Sequence, residues 1–473
     1  MRYILSTVAT ILFFSSNLFA QSKFIGDWKG VIKAGQELKV YFHINRESND
    51  ELTATLDVPM QGATGVECTG VEVIKDSITI EIKAANLTYK GRLKDKDNID
   101  GQWVQNGMSM AVPLERTEEK VVLKRPQTPK APFGYNSEDV IYYNADKSIR
   151  YGATITSPKD DNQHPAIILI SGSGQQNRDE EAFGHKPFAV MADYLSNNGY
   201  VVLRVDDQGV GKTTGNPDTA TSADYARDVM VGIEFLKTRK EVDKKKIGLM
   251  GHSEGGMIAP MVATQSKDVN FIRLLAGPGV HVNQLMTEQN IAILQKAGWK
   301  EEYINSYAEL YRQILAAITH SETIDDYIKN ANEVVDDWKA KTDEQTVKMT
   351  TNITGEASQN KFIETFAEIY KSNWYRYFVS YDPQPTLEAL KCKVLALNGE
   401  KDIQVLPESN LKGIDEALKK SKVKVYETKM IPGVNHLFQE CEKCTVQEYV
   451  QLEQTIKPEV LQIIGEWLDK NVK

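Results

Sequence analysis

The segment that most constrains this chain is Gly251-His252-Ser253-Glu254-Gly255-Gly256. It follows the apolar-ended run Lys246 to Met250 and precedes the small-residue stretch Met257 to Ala263. That order reads as strand, sharp turn and helix, with a serine at the apex. So tight a turn needs small residues on both sides, because the serine backbone lies against the incoming strand and the outgoing helix. It lifts the hydroxyl above the sheet and aims the first N–H groups of the helix at whatever that hydroxyl attacks.

A serine hydroxyl attacks only once a base takes its proton, so a histidine and an acid that orients it are required elsewhere. On a sheet entered this way the chain order should be serine, acid, histidine, each beyond the carboxyl end of a strand. The histidines after Ser253 are His281, His320 and His436. His281 precedes any acid-bearing strand, and His320 lies in a polar helical stretch. His436 sits in the loop Ile431 to Phe438, after a strand expected over Val423 to Thr428, and is the candidate base. Upstream, Val394 to Asn398 reads as a buried strand that turns at Gly399, which makes Asp402 the candidate acid.

Five motifs in this order resemble those of the α/β-hydrolase superfamily. They are Ser171-Gly172-Ser173-Gly174 with Arg178-Asp179-Glu180, Asp206 to Gly211, the serine turn, Asn398 to Asp402, and Gly433-Val434-Asn435-His436. Within that superfamily, residues 134–473 are similar to secreted bacterial esterases of the esterase D type and to serine aminopeptidase-like hydrolases. The resemblance implies cleavage of a carboxylic ester by Ser253, His436 and Asp402. It implies an oxyanion hole made of the Glu254 N–H and an N–H from the loop after Ala166 to Ile170, with Ser173 first and Gly174 second. Each such donor contributes about 3–4 kcal/mol. Gln208 departs from the pattern, since relatives commonly carry arginine there. Two other readings stay open: an amidase of the aminopeptidase kind, with Glu254 or a cap carboxylate binding a substrate ammonium, and a ligand-binding protein without activity.

The expected fold class is an α/β doubly wound, mostly parallel sheet with a helical insertion, preceded by a small all-β domain. Ala166 to Ile170 and Tyr200 to Val205 are unbroken apolar runs, as suits parallel strands buried on both faces. Helices are expected over His185 to Asn198 and over Thr221 to Lys237, the latter opened by a Thr221–Asp224 capping box. Strand and helix alternate until about residue 283, and residues 283–380 then show only helical periodicity, as a cap over the carboxyl edge of the sheet would. In the cap Phe362, Phe366, Tyr370 and Trp374 are spaced by four. Packing is the default for such a stripe, while Trp374, Tyr375 and Phe378 are candidate walls of an acyl pocket.

Residues 21–118 contain short β-type runs at Leu38 to Ile44, Leu52 to Val58, Ser77 to Ile82, Leu87 to Leu93 and Gly101 to Val104, separated by Gly, Asn and Asp turns. That spacing suits a barrel or sandwich, and the stretch resembles the lipocalin-like domain that precedes some of these hydrolases. Residues 119–133, with Pro126, Pro129 and Pro132, read as a linker.

Residues 1–20 read as a secretory signal peptide: Arg2, an apolar run from Ile4 to Phe14, then Leu18-Phe19-Ala20. A periplasmic or extracellular location is therefore expected. There Cys441 and Cys444 would form a small disulfide or remain free thiols; zinc would need two more ligands, and no second C-x-x-C is present. A net charge of −9 argues against nucleic acid. No nucleotide, flavin or metal signature and no membrane span is read, and no cofactor is expected. A small-molecule ester is the expected partner, and the oligomeric state is left open.

Overall fold

The computed structural model describes residues 21–473 apart from 35, 49–50 and 120–122. The expected signal peptide lies outside the described residues. The chain divides into two compact units, residues 1–124 and 125–473.

The first unit is one all-antiparallel sheet of ten strands: β1 (Gly26–Ala34), β2 (Gln36–Arg46), β3 (Leu52–Val58), β4 (Ala63–Glu67), β5 (Gly70–Ile74), β6 (Ser77–Ile82), β7 (Leu87–Leu93), β8 (Asn98–Gln105), β9 (Met108–Ala111) and β10 (Leu114–Arg116). Their order is β4-β3-β2-β1-β10-β8-β7-β6-β5, with β9 paired to β8. β2 (Gln36–Arg46) and β7 (Leu87–Leu93) are four places apart in that order, which would separate them by about 19 Å in a flat sheet. Yet Phe42 and Tyr89 have ring centroids 5.4 Å apart. The sheet is therefore curled around one core, where Trp28, Phe42, Leu56, Ile80 and Trp103 meet. β4 (Ala63–Glu67) and β5 (Gly70–Ile74) were not legible as strands, since no residue of either is fully buried. β10 (Leu114–Arg116) is only three residues long.

The second unit is built on an eight-stranded sheet of β11 (Asn136–Tyr143), β12 (Arg150–Ser157), β13 (His164–Ile170), β14 (Val201–Val205), β15 (Val242–His252), β16 (Val269–Leu275), β17 (Lys393–Gly399) and β18 (Tyr426–Ile431), in the order β11-β12-β14-β13-β15-β16-β17-β18. Its first two neighbour pairs, β11–β12 and β12–β14, are antiparallel, and the rest are parallel. β13 (His164–Ile170) lies between β14 (Val201–Val205) and β15 (Val242–His252), with Ile168 opposite both Leu203 and Leu249. The helix Ser222–Thr238 begins where expected, and the Asp224 carboxylate accepts from the N–H and the hydroxyl of Thr221.

Two expectations need correction. The strand placed at Val423 to Thr428 is β18, Tyr426–Ile431, because pairing with β17 (Lys393–Gly399) starts at Tyr426 opposite Val394. Residues 125–133 are not a free linker. Arg125 donates to the carbonyls of Phe183, Val450 and Leu452, and Gln127 bonds both ways to Ile456, so this stretch is tied into the second unit.

Between β16 (Val269–Leu275) and β17 the chain is helical. The helices Val282–Lys296, Glu301–His320, Ile324–Lys339, Glu344–Thr351, Glu356–Lys371 and Asn373–Ser380 share a core of Leu310, Ile314, Tyr327, Val335, Phe366 and Tyr370. Phe366 and Tyr370 thus serve packing. Trp374 leaves their stripe because one helix ends at Lys371 and another starts at Asn373.

Candidate active site

β15 runs to His252 and a helix starts at Glu254, so Ser253 alone makes the turn, with φ 53° and ψ −118°. This conformation costs a non-glycine residue on the order of 1–3 kcal/mol. Its N–H is held by the Leu275 carbonyl at 2.8 Å, and its carbonyl accepts from Gly256 at 2.9 Å. The glycines are sterically required. A Cβ on Gly251 would lie 1.9 Å from the Gly255 carbonyl oxygen, and one on Gly255 would lie 2.1 Å from the Ile170 carbonyl oxygen.

Asp402 and His436 meet from separate loops, beyond β17 and β18. Nδ1 of His436 is 2.8 Å from Oδ2 of Asp402, and both residues are buried. The other carboxylate oxygen accepts the N–H groups of Gln404 and Val405 at 2.7 and 3.0 Å. A carboxylate fixed in this way keeps the proton on Nδ1 and leaves Nε2 to accept one. The loop carrying His436 is itself pinned: Asn435 accepts the N–H groups of Leu437 and Gln439, and beside it the Tyr449 hydroxyl accepts from Gln404 Nε2 at 3.0 Å.

On the other side of the serine lies the loop after β13. Gly172 approaches so closely that a Cβ on it would be 3.1 Å from the Ser253 Cβ. The Gly172 N–H is committed to Glu180 Oε1 at 2.6 Å, and the Ser171 hydroxyl donates to Asp207 at 2.9 Å. The candidate donors Ser173 and Gly174 are exposed at the tip of this loop. Glu254 opens the helix after the serine, so its N–H has no partner within the helix.

The side chain of Glu254 is buried, and Oε1 accepts from the Ser222 hydroxyl at 2.6 Å and the Trp374 indole at 2.9 Å. Burial pushes its carboxyl above the usual range. Of the candidate pocket residues, Trp374 therefore stands beside the turn, stacked on Phe378 with centroids 5.2 Å apart. Phe378 packs on Met257 and Val282, whereas Tyr375 packs into the core of the cap. Trp374 also lines a cavity of about 420 Å³ shared with Gly174, Tyr225, Lys371 and Ser372.

More carboxylates surround the floor of the site. Arg178 bonds Asp206 through Nε and Nη2 at 3.0 and 2.6 Å, and Arg204 pairs with Asp179. Asp228 accepts from Gln208 at 2.7 Å and from Tyr151 at 2.6 Å, and burial raises its carboxyl. Burial, with the nearby carboxylates of Glu254 and Glu180, pushes Asp207 up to about 7. Past His436, Cys441 and Cys444 are joined as a disulfide with a Cα–Cα distance of 5.1 Å.

Three residues central to this geometry had no role assigned from sequence: Glu180, Ser222 and Tyr449. Glu180 was visible only as the end of Arg178-Asp179-Glu180; its backbone φ of 49°, rare for a side chain of this size, has no sequence signature.

Residues 185–362 match the family model described as serine aminopeptidase, S33. The chain is similar to esterase EstD of Thermotoga maritima, 30% identical over 162 residues, which are 34% of this chain and 38% of that one. It is also similar to an acyl transferase of Photobacterium phosphoreum, at 28% over 144 residues, 30% of this chain and 43% of the other. Cutinase 2 of Thermobifida cellulosilytica is 26% identical over 140 residues, 29% and 48% of the two chains. The chain thus spans less than half the length of these curated relatives. Among solved structures, an esterase of Pyrococcus furiosus aligns with 72% of this chain and 94% of its own at 14% identity, with a TM-score of 0.42. A mostly parallel sheet whose fifth strand ends on a strained serine, overlapped by that family match, is the α/β-hydrolase fold.

Proposed function

We propose that this protein hydrolyses carboxylic esters through an acyl-enzyme on Ser253. The observation that carries this reading is the buried 2.8 Å bond between His436 Nδ1 and Asp402, which leaves Nε2 as the base. Ser253 Oγ attacks the ester carbonyl and its proton passes to His436 Nε2. The tetrahedral oxyanion is held by the Glu254 N–H and by Ser173 or Gly174. Collapse expels the alcohol, which takes the proton from His436. A water then gives a proton to the same nitrogen, attacks the acyl group and releases the acid.

Trp374 and Phe378 form the wall of the acyl pocket in this reading. Esterase and cutinase relatives favour an ester over an amide. So does Glu254, whose carboxyl already serves two donors and is buried away from any substrate ammonium. A periplasmic or extracellular setting forms part of the proposal, supported by the character of residues 1–20 and by the Cys441–Cys444 bridge.

Parallel assays with short p-nitrophenyl esters and aminoacyl anilides, alongside labelling by a fluorophosphonate, test it. Ester turnover with labelling at Ser253 is expected. Anilide turnover exceeding ester turnover would establish the amidase instead, and failure of both substrates and of labelling would overturn the hydrolase.

A further inference from the structure

His252 precedes the serine, is buried, and has both ring nitrogens on acceptors. Nδ1 is 3.0 Å from Glu180 Oε1, and Nε2 is 3.0 Å from the backbone carbonyl of His436. That carbonyl cannot donate, so Nε2 carries a proton. Glu180 Oε1 also accepts the Gly172 N–H at 2.6 Å, so it too is held as an acceptor and calls for a proton on Nδ1. A ring that donates from both nitrogens is an imidazolium.

We infer that Glu180 and His252 form a buried ion pair acting as a positioning clip, which ties the oxyanion loop at Gly172 and the base loop at His436 to the serine turn. This inference rests on the hydrolase reading for its catalytic meaning. The clip spans three segments far apart in sequence: the oxyanion loop and the serine turn follow the paired strands β13 and β15, with Ile170 opposite Gly251, while the base loop follows β18, three places from β15 in the sheet. Glu180 adopts a left-handed backbone to reach this place, a strain retained where the surrounding structure demands it.

The ring is faced by Glu180 from its loop, by His436 and Asp402 from theirs, and by the Phe438 ring at 6.4 Å; Asp207 lies near Glu180. Burial alone would lower the proton affinity of His252, but Glu180, the His436 carbonyl and Asp402 outweigh it, so the shift is upward. The stabilisation from the pair is complete below the ordinary histidine range and is lost as pH rises through the higher folded value. The clip thus loosens on the alkaline side.

The test uses the full chain with ¹⁵N-labelled histidine. Near pH 7 the ring nitrogens of His252 should both be protonated, and Glu180→Gln should convert the ring to a neutral form with one proton. A neutral His252 in the unaltered protein overturns the clip. His252→Phe, which keeps the volume and removes both bonds, should lower kcat about 100-fold with KM within twofold, the scale of loss from a misplaced catalytic group. Fluorophosphonate labelling should slow in proportion. The double variant Glu180→Ala with His252→Phe should be no slower than the slower single, because the two act as one unit. Losses that multiply, or a folded His252→Phe with kcat within threefold of the original, overturn it. If His252→Phe does not fold, Glu180→Gln, which keeps the bond to His436, still decides through the histidine spectrum. If the unaltered protein neither labels nor turns over, the hydrolase reading fails while that spectrum judges the clip separately.

Discussion

His436 and His252 lie with ring centroids 4.8 Å apart, and each sets Nδ1 on a buried carboxylate. They differ in what meets the second nitrogen. The Nε2 of His252 is occupied by a backbone carbonyl, while that of His436 is the nitrogen assigned to the proton of Ser253. The carboxylates differ as well. Asp402 takes its other hydrogen bonds from its own turn, at Gln404 and Val405, whereas Glu180 takes one from Gly172, on a loop that faces the serine. One imidazole–carboxylate pair is arranged to accept and return a proton; the other is arranged to keep one. The contrast shows that an imidazole beside an acid is not a function until both ring nitrogens have been accounted for.

The largest effects should separate the two pairs most sharply. Ser253→Ala and His436→Ala should each lower kcat by about 10⁶-fold without unfolding the protein, and their losses should not multiply, since nucleophile and base act together. Either variant retaining a tenth of the original rate would break the assignment. Next comes Asp402→Asn, expected to cost about 10⁴-fold by leaving His436 in the wrong tautomer. Glu400→Gln is its control. Glu400 stands two residues away, but its carboxylate accepts the Gly433 N–H at 2.9 Å and the Lys401 ammonium at 3.3 Å, and its loss should change kcat less than threefold. The reverse order of damage would name Glu400 as the acid.

Much of this site was legible in the sequence, for a physical reason. The serine turn tolerates only small neighbours, and the acid and base must follow strands in a fixed order, so Ser253, Asp402 and His436 stood out among 473 residues. Glu180 did not, because a clip needs only an acceptor at the right point in space and many loop carboxylates could supply one. β4 and β5 were missed for a related reason, since strands without a fully buried face lack the alternation that marks a strand. β18 was placed three residues early because Val423 and Val425 continue an alternating pattern outside the actual pairing with β17.

A third carboxyl extends the comparison. Asp207 accepts from Ser171 and Gln176 yet has no ion-pair partner among the described residues, and burial pushes it up to about 7. An aspartate is ionised above about 4 when unfolded. Between those values the folded state holds a proton that the unfolded state has released, so stability falls as pH rises, by about 1.4 kcal/mol per unit at most. Asp207→Asn should remove this slope, and chemical denaturation at pH 5 and pH 8 would show it. An unchanged slope would mean that Asp207 is ionised throughout, with a charge partner of its own.

The smallest effect is expected at the Cys441–Cys444 bridge, which lies on the segment leading away from the base. The closed loop is so short that its loss should cost only about 2 kcal/mol on a chain-entropy estimate. Nor does His436 depend on the bridge alone for its position. The Glu448 carboxylate accepts the N–H groups of Glu442, Lys443 and Cys444 at 3.1, 3.0 and 2.6 Å, holding the same turn from inside. Asn435 fixes the base loop closer to the ring. The Cys441→Ser plus Cys444→Ser variant should therefore lose a few degrees of melting temperature and less than threefold in kcat, whereas Glu448→Ala added to it should multiply the kinetic loss. Thiol counting on denatured, unreduced protein checks the premise: two free thiols, from Cys68 and Cys392, are expected. A tenfold drop in kcat on reduction alone would show that the bridge, and not Glu448, positions the base, and would place the support of His436 farther along the chain than the hydrogen bonds around it imply.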